Sequence, residues 1–236
     1  MRHILFLMLL LPVLCWGNMA LRDNLSKANP GDFIVTAQNK TYTMLLVQGR
    51  DGNVLKLEEI TIPMTRLNLK GFSWRDWIAN DAPQNTSWVR YTIDLHDASM
   101  KEFYSFTKRG YYKMNEADNF LSKLLNLEMQ EIPHNQRKKI GSCPPFGTDR
   151  RKLWQPQMVV DGTYVTGVHF LAYRTKWPKD NSELSERVIE VYVPEDHSRY
   201  PSYFPYWLQV HGIIGKAKIR IVDSGFNLKS PKPAVL

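Results

Sequence analysis

The segment Lys216–Val222 alternates without a break: Ala217, Ile219 and Ile221 fall on one side, and Lys216, Lys218 and Arg220 on the other. Only a pleated strand with one buried and one solvated face makes use of a period of two. The same period dominates the chain from Asp32 onward, so the fold must be a sheet whose strands pair with one another. Phe33, Val35 and Ala37 alternate with Asp32, Ile34 and Thr36, and Asn39-Lys40 supplies a turn into Thr41–Gln48. Asp51-Gly52 suits a tight hairpin turn, and Val54–Ile62 returns before Pro63 ends the pairing. The pattern continues through Ser87–Leu95, Met100–Phe106, Met158–Val160, Thr163–Arg174 (behind the turn Asp161-Gly162), Val188–Val193 and Tyr206–His211.

Two stretches carry a helical period instead. Ser73 can cap a short helix through Asn80, with Trp74, Trp77 and Ile78 on one side. The spacing of Phe120, Leu121, Leu124, Leu125 and Leu127 predicts a second helix from Asn115 to Leu127, with an apolar stripe that must lie on something hydrophobic. The expected class is therefore α+β, mostly antiparallel β. A sheet of about ten strands normally curls, which gives a curved sheet or half-barrel with one or two covering helices.

Residues 4–14 form an apolar run behind Arg2 and His3, too short to span about 30 Å of hydrocarbon and suited to a signal-peptide core. Cleavage behind Gly17 or Ala20 releases an exported chain for the periplasm or cell envelope, and Cys15 offers lipid anchoring as the alternative route. The remaining division is a linker over 18–30, one β-rich domain over 31–226 and a flexible tail over 227–236. Residues 132–152 collapse into Pro, Gly, Asn and basic residues and read as a long loop, with a subdomain boundary as the alternative. Without Cys15, Cys143 is a single thiol, so stability must come from core burial.

With 43% hydrophobic and 12% aromatic residues the chain can bury an ordinary core, which excludes a disordered or collagen-like protein. The net charge of +8 favours anionic surfaces such as lipid headgroups. Nucleic acid is not expected as a partner: the cations are scattered, apart from Arg137-Lys138-Lys139 and Arg150-Arg151-Lys152, and an exported protein rarely meets it. The sequence contains no G-x-S-x-G elbow, no H-E-x-x-H, no P-loop and no C-x-x-C, so no enzyme, cofactor or metal is expected. His169 and His211, each read as a strand residue, are the one pair that could share a pocket.

Five aromatics crowd Tyr200–Trp207, framed by Pro201 and Pro205. Tyr and Trp suit boundaries where one edge is apolar and the other wet. Tyr203, Phe204, Tyr206 and Trp207 are therefore candidate ligand-binding residues, joined by Phe120 and Leu124 of the apolar helix. A loop folded back to close the core is the competing reading of the same aromatics.

The run Trp177–Leu184, the strand Ile189–Pro194 and the segment Phe204–Val210 resemble uncharacterised exported proteins of chlamydia-like bacteria. A strand, a Pro-bounded loop and a strand entered through Pro205-Tyr206-Trp207 are also similar to the carboxy-terminal part of periplasmic lipoprotein carriers. That likeness implies a half-barrel holding acyl chains in a concavity closed by helices. The functional expectation is a non-enzymatic envelope protein that binds a lipid or lipoprotein-like amphipathic ligand in a curved sheet. The alternative is a structural or interaction protein that contacts an envelope partner or touches the membrane peripherally.

Overall fold

A computed structural model describes residues 17–68, 70–112, 120–196, 199–212 and 215–233. Its strands are β1 (Asn18–Ala20), β2 (Phe33–Gln38), β3 (Thr41–Asp51), β4 (Val54–Pro63), β5 (Ser87–Asp94), β6 (Ser99–Ser105) and β7 (Gly110–Tyr111). They are followed by β8 (Glu128–Glu131), β9 (Met158–Val160), β10 (Thr163–Val165), β11 (Phe170–Lys176), β12 (Val188–Pro194), β13 (Trp207–His211) and β14 (Lys216–Gly225). Among the described residues three α-helices accompany them: α1 (Leu21–Leu25), α2 (Trp74–Ala79) and α3 (Phe120–Asn126).

Twelve strands form one sheet in the order β1-β8-β11-β12-β13-β14-β2-β3-β4-β5-β6-β7, and every pairing in it is antiparallel. The remaining two make the separate hairpin β9–β10. The predicted class is thus the observed one: a large curved sheet that is left open rather than closed into a barrel. Its curvature follows from one contact. Arg22 lies two residues beyond β1 at one edge, yet its guanidinium donates to the carbonyl of His96 at 2.7 Å, just past β5 near the other. In a flat sheet, nine spacings of about 4.8 Å would separate those strands. The sheet therefore curls until α1 and α3 bridge its two ends, with Ser122 Oγ donating to Ala98 O at 2.7 Å and Asn126 Nδ2 to Asp97 O at 2.6 Å.

Two apolar clusters occupy the two faces. The larger fills the inner side, where it gathers Ile34, Val47, Leu57, Tyr91 and Ile93 with Val191, Leu208 and Val210 and includes Leu21, Leu25, Leu124 and Leu125 of α1 and α3, and it continues to Tyr192, Trp154 and Trp207. The smaller, on the outer side, packs Phe33, Val35, Met44, Leu46, Ile60 and Trp88 beneath Trp74, Trp77 and Ile78 of α2. The central strand β2 is buried on both faces for this reason, which hides the alternation that β14 displays.

Several expected boundaries change. Residues 18–30 are not a linker: they carry β1 and α1, because Leu21, Leu25 and Ala28 are apolar enough to join the core. Thr163–Arg174 is divided into β10 and β11 at Gly167, whose φ is +75°. Both turn residues are left-handed at Asn39-Lys40 and at Asp161-Gly162, as a type I′ turn requires. At the third hairpin Asp51 pairs with Val54, so the loop is Gly52-Asn53, and Gly52 alone has positive φ, the type II′ pattern. The described part of the second predicted helix is Phe120–Asn126, and its predicted start at Asn115 lies outside the described residues.

The segment 227–233 is docked, not a free tail. Leu228 is buried in the outer cluster, and its backbone N–H donates at 2.9 Å to the carbonyl of Gly31, whose φ is +92°. A Cβ on Gly31 would sit 2.9 Å from Asn227 Cα, so only glycine admits this close approach.

Candidate ligand groove

The aromatic segment turns inward. Tyr203 is 2% exposed and its hydroxyl donates to the Leu45 carbonyl at 3.1 Å; Phe204 is buried beside it. Tyr206 is fully buried, shares a 2.7 Å hydrogen bond with Ser224 Oγ, and meets Phe170 edge-on. Burial pushes both phenols above their usual range, so they act as neutral hydrogen-bonding groups of the core. Leu124 is likewise in the core, whereas Phe120 is 40% exposed and stacked on Trp177 with centroids 5.4 Å apart. The six candidate residues are therefore not gathered around one space. Two of them, Tyr206 and Trp207, line a groove on the outer face.

That outer face holds a groove of about 690 Å³ between α2, the outer surface of β13 and β14, and the segment 154–164. Antiparallel register builds its floor as a row: Tyr192 opposes Trp207, Trp207 opposes Arg220, Arg220 opposes Ala37, and Ala37 opposes Tyr42. Directly opposed residues share a face, so these side chains lie side by side. Trp154 crosses over the row, edge-on to Trp207 at 4.9 Å and to Tyr192 at 5.1 Å. Ile140 and Tyr164 complete the wall and are 57% and 69% exposed.

Cations frame these rings. Lys138 Nζ stands 4.3 Å from the Trp154 centroid and Lys218 Nζ stands 5.5 Å from that of Trp207, each attracted by the ring face. Arg220 lies on the floor between them and the α2 side. The chemistry offered is a strip of aromatic surface beside three positive charges.

The far wall is fixed by the β9–β10 hairpin. Arg75 of α2 grips Asp161 through two hydrogen bonds of 2.7 and 2.9 Å. Asp161 N donates to Ser224 O at 2.8 Å, and Ser224 Oγ donates to Val159 O at 2.7 Å. Asp223 accepts from Gly162 N, and burial raises its carboxyl above the ordinary range despite that bond.

A second groove of about 450 Å³ lies at the β1–β8 edge and is lined by Glu128, Glu131, Arg174 and Lys176. Its charges are already matched, Arg137 to Glu131 at 2.7 Å and Arg174 to Glu190 at 2.6 Å, so it offers a ligand little net charge. The two histidines do not share a pocket. His169 precedes β11 beside Glu195, while His211 lies at the level of Lys176 and Val188 near Glu190. Seven residues of strand, about 23 Å, separate those levels. Among the described residues no group of three His, Cys, Asp or Glu could hold a metal ion, and no helix is long and apolar enough to cross a membrane.

Sequence reading misses Trp154, Lys138 and Arg220 as a group. The alternation of Lys218 and Arg220 is visible, but Trp154 sits in a stretch with no period, and only the fold lays it over β13.

A family model described as CT021 protein matches residues 43–166 of the chain. The matched stretch contains Trp74, Ile140, Trp154 and Tyr164 of the groove, while Trp207 and Arg220 lie beyond it. Among solved structures, the 2.0 Å structure of the hypothetical protein CT021 from Chlamydia trachomatis is similar with a TM-score of 0.65 at 17% identity, covering 93% of this chain and 98% of that one. The likeness at that identity concerns the fold. No curated protein matches the chain.

Proposed function

The chain belongs to the CT021 protein family, and on that footing we propose that it is an exported, non-enzymatic cell-envelope protein that holds an anionic amphipathic ligand in its outer groove. One observation carries the reading: Trp154 and Trp207 meet edge-on in an open groove while Lys138 and Lys218 stand over their faces. An acyl chain lies against the rings and an anionic head reaches the ammonium groups and Arg220. A volume of about 690 Å³ falls in the range of small-molecule sites.

The ligand site proposed here is on the outside of the curve. The inner face, which the likeness to lipoprotein carriers would use, is occupied by Tyr203, Phe204, Leu208 and the leucines of α1 and α3. Export rests on the apolar leader, and the pairing of Asn18, Met19 and Ala20 with β8 supports cleavage behind Gly17, since cleavage behind Ala20 would delete β1.

Titration with lysophosphatidylglycerol, followed by tryptophan fluorescence and native mass spectrometry, tests the site. Saturable binding that weakens about tenfold or more in Trp207→Ala and in Arg220→Gln is the expected result. Absence of binding, or binding indifferent to both substitutions, defeats the proposal. Amino-terminal sequencing of the envelope-fraction protein tests export, with Asn18 as the expected first residue.

A further inference from the structure

Residues 138–154 form a ribbon that projects one apolar ring. Ile140 N donates to Lys152 O at 2.9 Å and Trp154 N donates to Lys138 O at 2.8 Å, while Lys139 and Leu153 form a bridge, so the two legs are paired backbone to backbone. Asp149 locks the upper part. Its carboxylate accepts from Lys139 Nζ at 2.9 Å and from Arg151 Nε and Nη2, each at 2.9 Å, which holds its pKa well below the usual carboxylate range. Arg151 Nη1 also donates to Gly141 O at 2.7 Å across the ribbon. At the tip, Phe146 is 91% exposed behind Pro144-Pro145.

A phenyl ring exposed to that degree on a braced loop costs solvation free energy and packs on nothing. The charge around it is predominantly positive: residues 137–152 carry six cations against the single carboxylate of Asp149. Lys138, Arg150 and Lys152 are exposed. From this juxtaposition we propose that the 138–154 ribbon docks the protein on an anionic lipid surface, with Phe146 inserted among the acyl chains and the lysines and arginines seated on the headgroups. Charge complementarity selects the bilayer: basic side chains beside a negatively charged leaflet are each attracted by it, and an aromatic ring anchors at the boundary. The ribbon ends in Trp154 and contains Ile140, both walls of the groove, so docking brings the groove to the membrane. The proposal does not depend on ligand binding in that groove.

Vesicle co-sedimentation of the mature chain, beginning at Asn18, tests it, with phosphatidylcholine vesicles compared with vesicles also containing phosphatidylglycerol. Partitioning is expected to the anionic vesicles only, weakening as salt is raised. Phe146→Ser should lower it about tenfold, and Arg150→Gln and Lys152→Gln about fivefold each. All three residues are exposed, so the variants keep the fold. In the same chain, which carries no other cysteine, a polarity-sensitive fluorophore on Cys143, which is exposed and free, should shift to the blue on the anionic vesicles. Equal partitioning to neutral vesicles, or an unchanged Phe146→Ser, overturns the proposal. So does binding of a single-stranded oligonucleotide in place of vesicles. Loss of lysolipid binding in Trp207→Ala with vesicle binding intact would leave this docking standing and concern the groove alone.

Discussion

Ser230 donates from Oγ to Glu58 Oε2 at 2.6 Å across 172 positions of sequence. Glu58 is fully buried on β4, and it also accepts from Trp88 Nε1 at 3.1 Å and Arg90 Nη2 at 3.4 Å. The carboxy-terminal segment is thus the lid of a buried polar site: Pro233 O receives a 2.6 Å hydrogen bond from Arg90, and Lys232 bridges from Asp81 to the face of Trp88. Ser230→Ala leaves one lobe of a buried carboxylate without its shortest partner and should cost about 1–3 kcal/mol. Ending the chain at Phe226 should cost more, because Leu228 leaves the outer cluster as well. Urea denaturation midpoints measure both; a truncated chain as stable as the full one would show the segment to be dispensable.

The outer groove depends on a residue with no side chain. A Cβ on Gly225 would come 2.5 Å from Phe33 Cε1 and 2.8 Å from its Cζ, and would collide with the Asp161 carboxylate. Phe33 is fully buried and cannot retreat. Gly225→Ala should therefore destabilise the fold by about 1–3 kcal/mol and push Asp161 off Arg75, loosening the hairpin that walls the groove. Thermal melting reads the first effect, and faster amide exchange across residues 158–165 reads the second. Unchanged exchange there would separate the hairpin from this packing.

The sequence makes β14 plain because its outer face is solvated as far as Arg220, and the alternation fails where a register shift between Ile221 and Asp223 breaks it. The Tyr200–Trp207 segment advertises apolar bulk but not its direction. What turns Tyr203 inward is the Leu45 carbonyl, 158 positions away, a partner that no local pattern names. The docked carboxy-terminal segment is illegible for the same reason, since Gly31, Glu58 and Arg90 that receive it are far off in sequence. Tyr206 and Trp207 of the groove come from the stretch with the aromatic signal, and Trp154 is brought to them by the paired legs of the 138–154 ribbon.

Glu59 sets a pH dependence. Burial raises its carboxyl pKa above the ordinary 4.5, with the Tyr91 hydroxyl at 3.5 Å opposing the shift only in part. Because the folded chain holds this proton more tightly than the unfolded one, stability from Glu59 is complete below 4.5 and falls as pH rises through the raised folded value. Glu59→Gln removes the ionisation and keeps an acceptor for Tyr91. It should raise the melting temperature at neutral pH, and the difference should vanish below the ordinary carboxyl pKa. A variant no more stable at pH 7 than at acid pH, relative to the parent, would mean that Glu59 ionises at no cost.

Helix α3 presents the sharpest choice between a fixed element and a movable lid. Its described part, Phe120–Asn126, is only two turns long and could not persist alone in water. Leu124 and Leu125 are each 1% exposed, packed in the cluster that holds Leu21 and Leu25 of α1. Polar groups pin both ends of the contact: Ser122 and Asn126 donate to the carbonyls of Ala98 and Asp97, and Lys123 reaches Asp180 at 3.1 Å. Asp180 also accepts from Trp177 Nε1, whose ring stacks under Phe120. The helix joins two ends of a curled sheet, so opening it would part β1 and α1 from the β5–β6 turn together. Leu124→Asp puts an unpaired charge where a methyl-bearing side chain was enclosed, a loss of about 4 kcal/mol or more and a large part of a domain's net stability. Far-UV circular dichroism and a melting curve on that variant should show cooperative loss of the β signal. A sheet that kept its spectrum and melting temperature while only residues 120–126 gained amide exchange would instead make α3 a detachable cover.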